Sequence, residues 1–187
     1  MEAVSTQRNR IHPHKFTLWV AIGSIIMMFA GLTSAYIVKR DQPNWLSFEM
    51  PQVFWYSSCV ILLSSVSIQI ALRKFKEREM RSYRALMMVT MVLGLMFVGG
   101  QFEGFRELWN KGVSFRGSSA GQFLYVIAGL HAVHVLGGVI VLVIQWIKSQ
   151  RKLVRNYSST PVEIAATYWH FVDLLWIYLF VFFLWIQ

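Results

Sequence analysis

Charged residues and cysteine are both scarce in this 187-residue sequence. Charged residues make up 14% of it, against about 25% in soluble domains. Hydrophobic residues reach 56% and the mean hydropathy is +0.47. A deficit of that size excludes an ordinary water-soluble domain and favours a chain that contacts lipid. The single cysteine, Cys59, excludes an intramolecular disulfide and lies within an apolar run, as a small core residue does.

Acidic residues are the scarcer of the two charges, with 9 Asp and Glu against 18 Lys and Arg, which gives a net charge of +9. In a soluble protein this excess would suggest nucleic acid as a partner. Here the basic residues lie between apolar runs, so they indicate membrane topology and lipid headgroups, and no nucleic-acid partner is expected. Arg73, Lys74 and Arg155 are the candidate headgroup ligands.

Apolar runs of the length that a bilayer requires, about 20 residues, occur at five places. They cover residues 16–38, 53–72, 85–102, 122–147 and 162–186. The pattern predicts an all-α membrane protein, with residues 1–187 forming one domain, a bundle of five transmembrane helices. The connections are short, so helices that follow one another in sequence are expected to be antiparallel neighbours.

The distribution of Lys and Arg predicts the orientation of the bundle. Thirteen of the 18 flank the runs on the side that holds the N-terminus, and five lie on the other side. Cytoplasmic segments carry the excess of positive charge. The N-terminus is therefore expected in the cytoplasm and the C-terminus outside.

Small residues within the runs predict where helices approach one another. Helix association in lipid depends on close packing, which small side chains allow. The candidates for helix packing are Gly31, Ala35, Gly100 and Gly129.

Ionisable residues in the last two runs are the strongest functional signal. His131 and His134 are three residues apart, as are His170 and Asp173, so each pair shares a helix face. An aspartate near the middle of a span costs at least about 3 kcal/mol on insertion scales, so Asp173 is expected to face protein and to pair or stay protonated.

Three interpretations of these residues remain open. They could form a metal site, or ligate heme through histidines from two helices. They could also form a structural polar network that locks the fourth helix to the fifth and to a partner subunit. Glu163, at the first turn of the last run, is a further candidate member of the network. The rule that intramembrane ionisable groups usually pair with one another favours the network. The sequence contains no phosphate-binding glycine loop, cysteine pair or serine nucleophile elbow.

The last run carries a specific motif. Residues 163–176 read Glu-Ile-Ala-Ala-Thr-Tyr-Trp-His-Phe-Val-Asp-Leu-Leu-Trp. This segment closely resembles the last helix of subunit III of the heme-copper terminal oxidases, although Thr167 stands where an aromatic residue is common. The segments Phe29-Ala30-Gly31, Gly94 to Gln101 and Ala128 to Val135 resemble the same family in the same order. The resemblance spans helix 1 to helix 5 and fits the bacterial five-helix form.

The resemblance implies a cofactor-free accessory subunit of a proton-pumping oxidase that reduces oxygen to water, most simply with cytochrome c as donor. Hemes and copper would lie in partner subunits, and His131, His134 and His170 would be structural and bind no metal. It implies contacts with subunit I above all, with subunits II and IV and with a respiratory supercomplex, bound phospholipid, support of proton uptake, and location in the bacterial inner membrane.

Two departures and several alternatives accompany the resemblance. The family often has a glutamate where this chain has Ile25, and another where it has Gly104, so roles resting on those carboxylates are not carried over. A quinol oxidase subunit III is the nearest alternative. A stand-alone transporter or a cytochrome b is a more distant one.

Overall fold

The computed structural model describes residues 13–40, 50–113, 119–150 and 159–186, and their regular structure is entirely α-helical. The helices are α1 (Pro13–Arg40), α2 (Val53–Lys76), α3 (Met80–Asn110), α4 (Ser119–Gln150) and α5 (Thr160–Ile186). All five are long and apolar enough to cross a membrane. The predicted all-α fold with five membrane-spanning helices is therefore confirmed.

Each helix is longer than the apolar run that predicted it, because polar residues continue the helix past the apolar stretch. In α2 the last turn contains Arg73, Lys74 and Lys76. Cations are favoured there by the partial negative charge of a helix C-terminus. The hydropathy pattern marks the part of a helix that suits lipid, and the helix itself ends further out.

The four helices α2, α3, α4 and α5 form a ring in which each contacts the next and α5 closes on α2. Helix α1 packs outside this ring, against α4 and α5. The expectation that sequential helices are neighbours is wrong for α1 and α2, whose Cα atoms do not come within 8 Å of one another in the described residues. The reason is the aromatic face of α1, where the Tyr36 ring meets Phe182 and Phe183 of α5 and Phe123 of α4 at centroid distances of 5.5–6.2 Å.

The reversal between α2 and α3 takes three residues. Arg78 has a left-handed φ of 64°, and the Glu79 N–H donates to the Lys74 carbonyl at 3.0 Å. This is the hydrogen bond of a Schellman ending. The Lys74 ammonium also lies 2.8 Å from Glu77 and 3.2 Å from Glu79, which stabilises the turn and holds α2 and α3 side by side.

Helix α5 provides the centre of the core. Its indoles Trp169 and Trp176 are each 1% exposed. Two glycines make room for Trp169, since a Cβ placed on Gly94 would lie 2.8 Å from the indole and one on Gly138 would lie 3.0 Å from it. The indole therefore wedges between α3 and α4, and this position orients the polar side chains of α5.

Candidate functional site

Glu163 connects three helices at one end of the bundle. Its Oε2 lies 2.7 Å from the Lys15 ammonium of α1, and its Oε1 lies 3.1 Å from the Lys76 ammonium of α2. Glu163 itself lies in the first turn of α5, where a carboxylate is also favoured by the helix N-terminus. One carboxylate thus links α1 to α2, although no Cα atoms of those two helices come within 8 Å of one another in the described ranges.

His170 is bound to α2. Its Nδ1 lies 2.6 Å from the Ser65 hydroxyl and its Nε2 lies 3.2 Å from Gln69 Oε1. These groups, together with Arg73, line an open groove of about 440 Å³ between α2 and α5. Gln69 and Arg73 are exposed, so a strip of polar side chains lies on the outside of a membrane-spanning bundle.

Asp173 lies one turn further along α5 and is 3% exposed. The Ser65 hydroxyl interacts with its carboxyl group electrostatically, but that hydroxyl forms its hydrogen bond with His170. Neither carboxyl oxygen has a hydrogen-bond partner among the described residues. A buried carboxyl without a partner is costly, so Asp173 is the most unusual polar group of the α2–α5 interface.

His131 and His134 of α4 lie in a different environment. The His131 ring is 2% exposed and lies 5.3 Å from the Trp176 ring. Neither of its nitrogens has a hydrogen-bond partner within the part of the chain that the structure describes. His134 contacts the Leu130 carbonyl of its own helix through Nδ1 at 2.7 Å, and the Tyr168 hydroxyl donates to the His134 carbonyl at 3.1 Å.

The structure therefore does not join the four intramembrane residues into one network between α4 and α5. His131 and His134 face aromatic rings of α1 and α5, whereas His170 and Asp173 face the Ser65 hydroxyl of α2. The cause is the central position of α5, which presents one face to α4 and another to α2. Among the described residues, no group of three His, Cys, Asp or Glu side chains could hold a metal ion.

Serines of α2 form the polar contacts that the sequence reasoning missed. The Trp169 indole donates to Ser64 Oγ at 3.1 Å and the Trp176 indole to Ser58 Oγ at 2.9 Å. Gln101 of α3 donates through Nε2 to Ser57 Oγ at 2.9 Å. The sequence does contain a sign of these contacts. Serines at 57, 58, 64 and 65 recur at a seven-residue interval, which places them on one face of an apolar helix.

The four small residues predicted at helix contacts have different surroundings. A Cβ on Gly100 would lie 3.2 Å from Ser57 Cβ of α2, and Ala35 is partly buried. Gly31 and Gly129 are exposed, and a Cβ on either would meet nothing within 4 Å. Contacts at these two glycines would have to come from outside the described chain.

The three predicted headgroup ligands also differ. Arg73 lines the groove beside His170. Lys74 is held by Glu77 and Glu79, which leaves its ammonium less available to a phosphate. Arg155 lies outside the described residues.

Comparisons with known proteins place these features in a family context. The family model for cytochrome c oxidase subunit III matches residues 46–187. The chain is 30% identical over 187 residues to a probable cytochrome c oxidase subunit 3 of Nocardia farcinica, covering 91% of this chain and 90% of the relative.

Of two further relatives, one is named a cytochrome c oxidase subunit and the other a quinol oxidase subunit. Identity to cytochrome c oxidase subunit 3 of Bacillus sp. (strain PS3) is 26% over 167 residues, covering 87% of this chain and 80% of the relative. Identity to a probable quinol oxidase subunit 3 of Staphylococcus aureus is 25% over 173 residues, covering 89% and 86%.

Proposed function

The chain belongs to the cytochrome c oxidase subunit III family of the heme-copper oxidases, as its motifs predicted, and from this premise we propose that it is a cofactor-free accessory subunit. It is a multi-pass membrane protein and a subunit of an oxidase complex. The proposed role is to stabilise subunit I, hold lipid and support proton uptake, while hemes and copper lie in partner subunits.

Hydrogen bonds between α5 and α2 are the observation that carries the proposal. Trp169, Trp176 and His170 of α5 bond to hydroxyls of α2. Interhelical hydrogen bonds in membranes contribute about 0.6 kcal/mol each, and small packed residues contribute contact. Side chains engaged in this way hold helices together, which supports a structural role for the α5 motif and for the predicted polar residues.

The polar strip on α2 and α5 supports a specific contact with a partner. Ser65, Gln69, Arg73 and His170 line the outer groove, and polar groups in membrane spans face protein or water rather than lipid. We therefore assign the groove to the interface with subunit I. Arg73, in the last turn of α2, lies where a lipid phosphate could complete the site.

The same strip supports the proposed part in proton uptake. Ser65, His170 and Gln69 form a chain of hydrogen-bonding groups that begins beside Asp173 and ends near Arg73 at the helix terminus. Its hydroxyl and imidazole groups can bind water and exchange protons with it, as polar and ionisable groups do in the proton pathways of other membrane proteins. Subunits II and IV and a respiratory supercomplex are further proposed partners, and the bacterial inner membrane is the proposed location.

Cytochrome c is the donor we favour, because the family description and the relatives from Nocardia and Bacillus carry that name. A quinol is the alternative donor, since the Staphylococcus relative is named a quinol oxidase subunit.

The proposal of a cofactor-free subunit is tested by affinity purification of the tagged chain from detergent-solubilised membranes. We expect heme-bearing subunits to co-purify and the chain stripped from them to be colourless, and a chain that purifies alone with bound heme would refute the proposal.

Photo-crosslinking tests the assigned interface. A photoreactive residue at Gln69 is expected to crosslink subunit I. The control is the same residue at Met27 of α1, which is 77% exposed and is expected to crosslink lipid. Crosslinking of subunit I from position 27 and not from position 69 would move the interface to α1.

A further inference from the structure

A second cavity, unrelated to the α2–α5 groove, lies between α3 and α4. This α3–α4 pocket has a volume of about 260 Å³. Aromatic side chains form much of its wall, and they are Phe97, Phe102, Phe105 and Tyr125. A cavity of about 150 Å³ lined by apolar side chains can bind benzene, so this pocket has room for one ring with substituents.

Two residues that line the pocket carry three buried polar atoms without a partner among the residues described. They are both ring nitrogens of His131 and the Oε1 atom of Gln101. These residues are 2% and 6% exposed, and both line the pocket. Buried polar atoms are paired in the great majority of cases, so three of them on two lining residues of one cavity indicate that something else binds there.

The orientation of the Gln101 amide follows from its neighbour. Its Nε2 lies 2.9 Å from Ser57 Oγ, and the Ser57 hydroxyl donates its own hydrogen to the Phe54 carbonyl at 3.1 Å. Ser57 therefore accepts from the amide nitrogen, and Oε1 is the atom left over. With a neutral His131, the pocket offers one donor and two acceptors.

The chemical class of the ligand follows from the lining. No Asp, Glu, Lys or Arg lines this pocket in the described chain, so it has no counter-ion for a phosphate or an amine. We propose that the α3–α4 pocket binds an uncharged, lipid-soluble molecule with a hydroxylated aromatic ring. The hydroxyl donates to Gln101 Oε1 or His131, the free N–H of His131 donates to the ligand oxygen, and the ring packs against the aromatic wall.

The mouth of the pocket faces outward from the bundle. Phe102 is 68% exposed, and Gly129 is exposed with nothing within 4 Å of an added Cβ. A ligand dissolved in the bilayer can therefore enter between α3 and α4. The open space also means that Gly129→Leu can obstruct the mouth without a clash at the Cβ.

The test uses membranes that contain the full chain and a photoreactive alkylphenol as the probe. Labelled peptides are identified by mass spectrometry. We expect labels on α3 and α4 near Phe102 and Ala132, and at least a tenfold loss of labelling in Gly129→Leu. Gly31→Leu is the matched control, because Gly31 is equally open, and it is expected to keep full labelling.

Competition on the unaltered chain keeps the test independent of folding in the variants. An unlabelled alkylphenol is expected to compete, and the alkylbenzene of equal length is expected to compete at least tenfold less well because it cannot reach the three polar atoms. Equal competition by the alkylbenzene would overturn the proposal. Labelling that neither compound displaces would also overturn it and would leave ordered water as the partner of the polar atoms. The label is read on this chain itself, so the result does not depend on whether the oxidase subunits co-purify.

Discussion

Trp169 is the residue on which the packing of three helices converges, since its indole bonds to Ser64 of α2 and lies against Gly94 of α3 and Gly138 of α4. We predict that Gly94→Ala destabilises the protein by about 1–3 kcal/mol, the usual cost of overpacking a core. A Cβ there would lie 2.8 Å from the indole. The measurement is the thermal unfolding midpoint in detergent.

Gly99→Ala is the control for that variant, because Gly99 lies on the same helix and an added Cβ would meet nothing within 4 Å. The exchange removes a helical glycine, which is worth up to about 1 kcal/mol, so its midpoint is expected to stay level or rise. If both variants lower the midpoint equally, the contact with Trp169 is not the cause.

The hydrogen bond from the Trp176 indole to the Ser58 hydroxyl leads to a second prediction about individual residues. A double-mutant cycle of Trp176→Phe and Ser58→Ala is expected to give a coupling free energy of about 0.6 kcal/mol, as for other interhelical bonds in membranes. Unfolding in denaturing detergent supplies the four free energies. Strictly additive single variants would mean that the 2.9 Å contact contributes no net stability.

How much of the site was predictable also depends on individual residues. Polar residues in apolar runs are conspicuous, so His131, His170 and Asp173 could be selected from the sequence. Spacing places residues on one face of a helix but does not identify the helix that this face meets. The predicted network therefore joined His170 of α5 to α4, whereas the structure pairs it with Ser65 of α2.

At the scale of helices, hydropathy predicted all five elements because about 20 apolar residues are required for each span. It did not predict that α1 lies beside α4 and α5 rather than beside α2. That arrangement depends on the fit of aromatic rings, such as Tyr36 against Phe182 at 5.5 Å. Complementarity of that kind involves distant parts of the chain and has no local signature.

The two ion pairs of Glu163, with Lys15 of α1 and Lys76 of α2, lead to a prediction about how the helices are held together. Glu163→Gln removes the charge that holds Lys15 at 2.7 Å and Lys76 at 3.1 Å. Partly exposed pairs contribute about 0.2–1 kcal/mol each, so we expect a loss of up to about 2 kcal/mol at low salt and a smaller loss at high salt. The unfolding midpoint in detergent at two ionic strengths measures both.

Glu103→Gln serves as the matched control, since Glu103 forms a longer, 3.7 Å pair with Arg106 within α3 and is 60% exposed. It is expected to leave the midpoint unchanged. If Glu163→Gln and Glu103→Gln change the unfolding midpoint equally, the ion pairs of Glu163 do not hold the helices together.

At the scale of the whole molecule, the excess of Lys and Arg on one side predicts how the bundle lies in the membrane. The last turn of α2 and the connection that follows it carry Lys74, Lys76 and Arg78 and should be cytoplasmic. The end of α3, next to Lys111, should be outside. Because consecutive spans cross the membrane in opposite directions, the side on which one connection lies fixes the orientation of every helix.

Thiol labelling tests this orientation on the intact protein. In a Cys59→Ser background, which removes the chain's one cysteine, Lys111→Cys is expected to react with a membrane-impermeant maleimide in intact spheroplasts. Glu77→Cys should react only after permeabilisation, because positively charged connections stay in the cytoplasm. The reverse pattern would invert the bundle. It would also place the Arg73 end of the α2–α5 groove outside, where it could not collect protons from the cytoplasm for the oxidase.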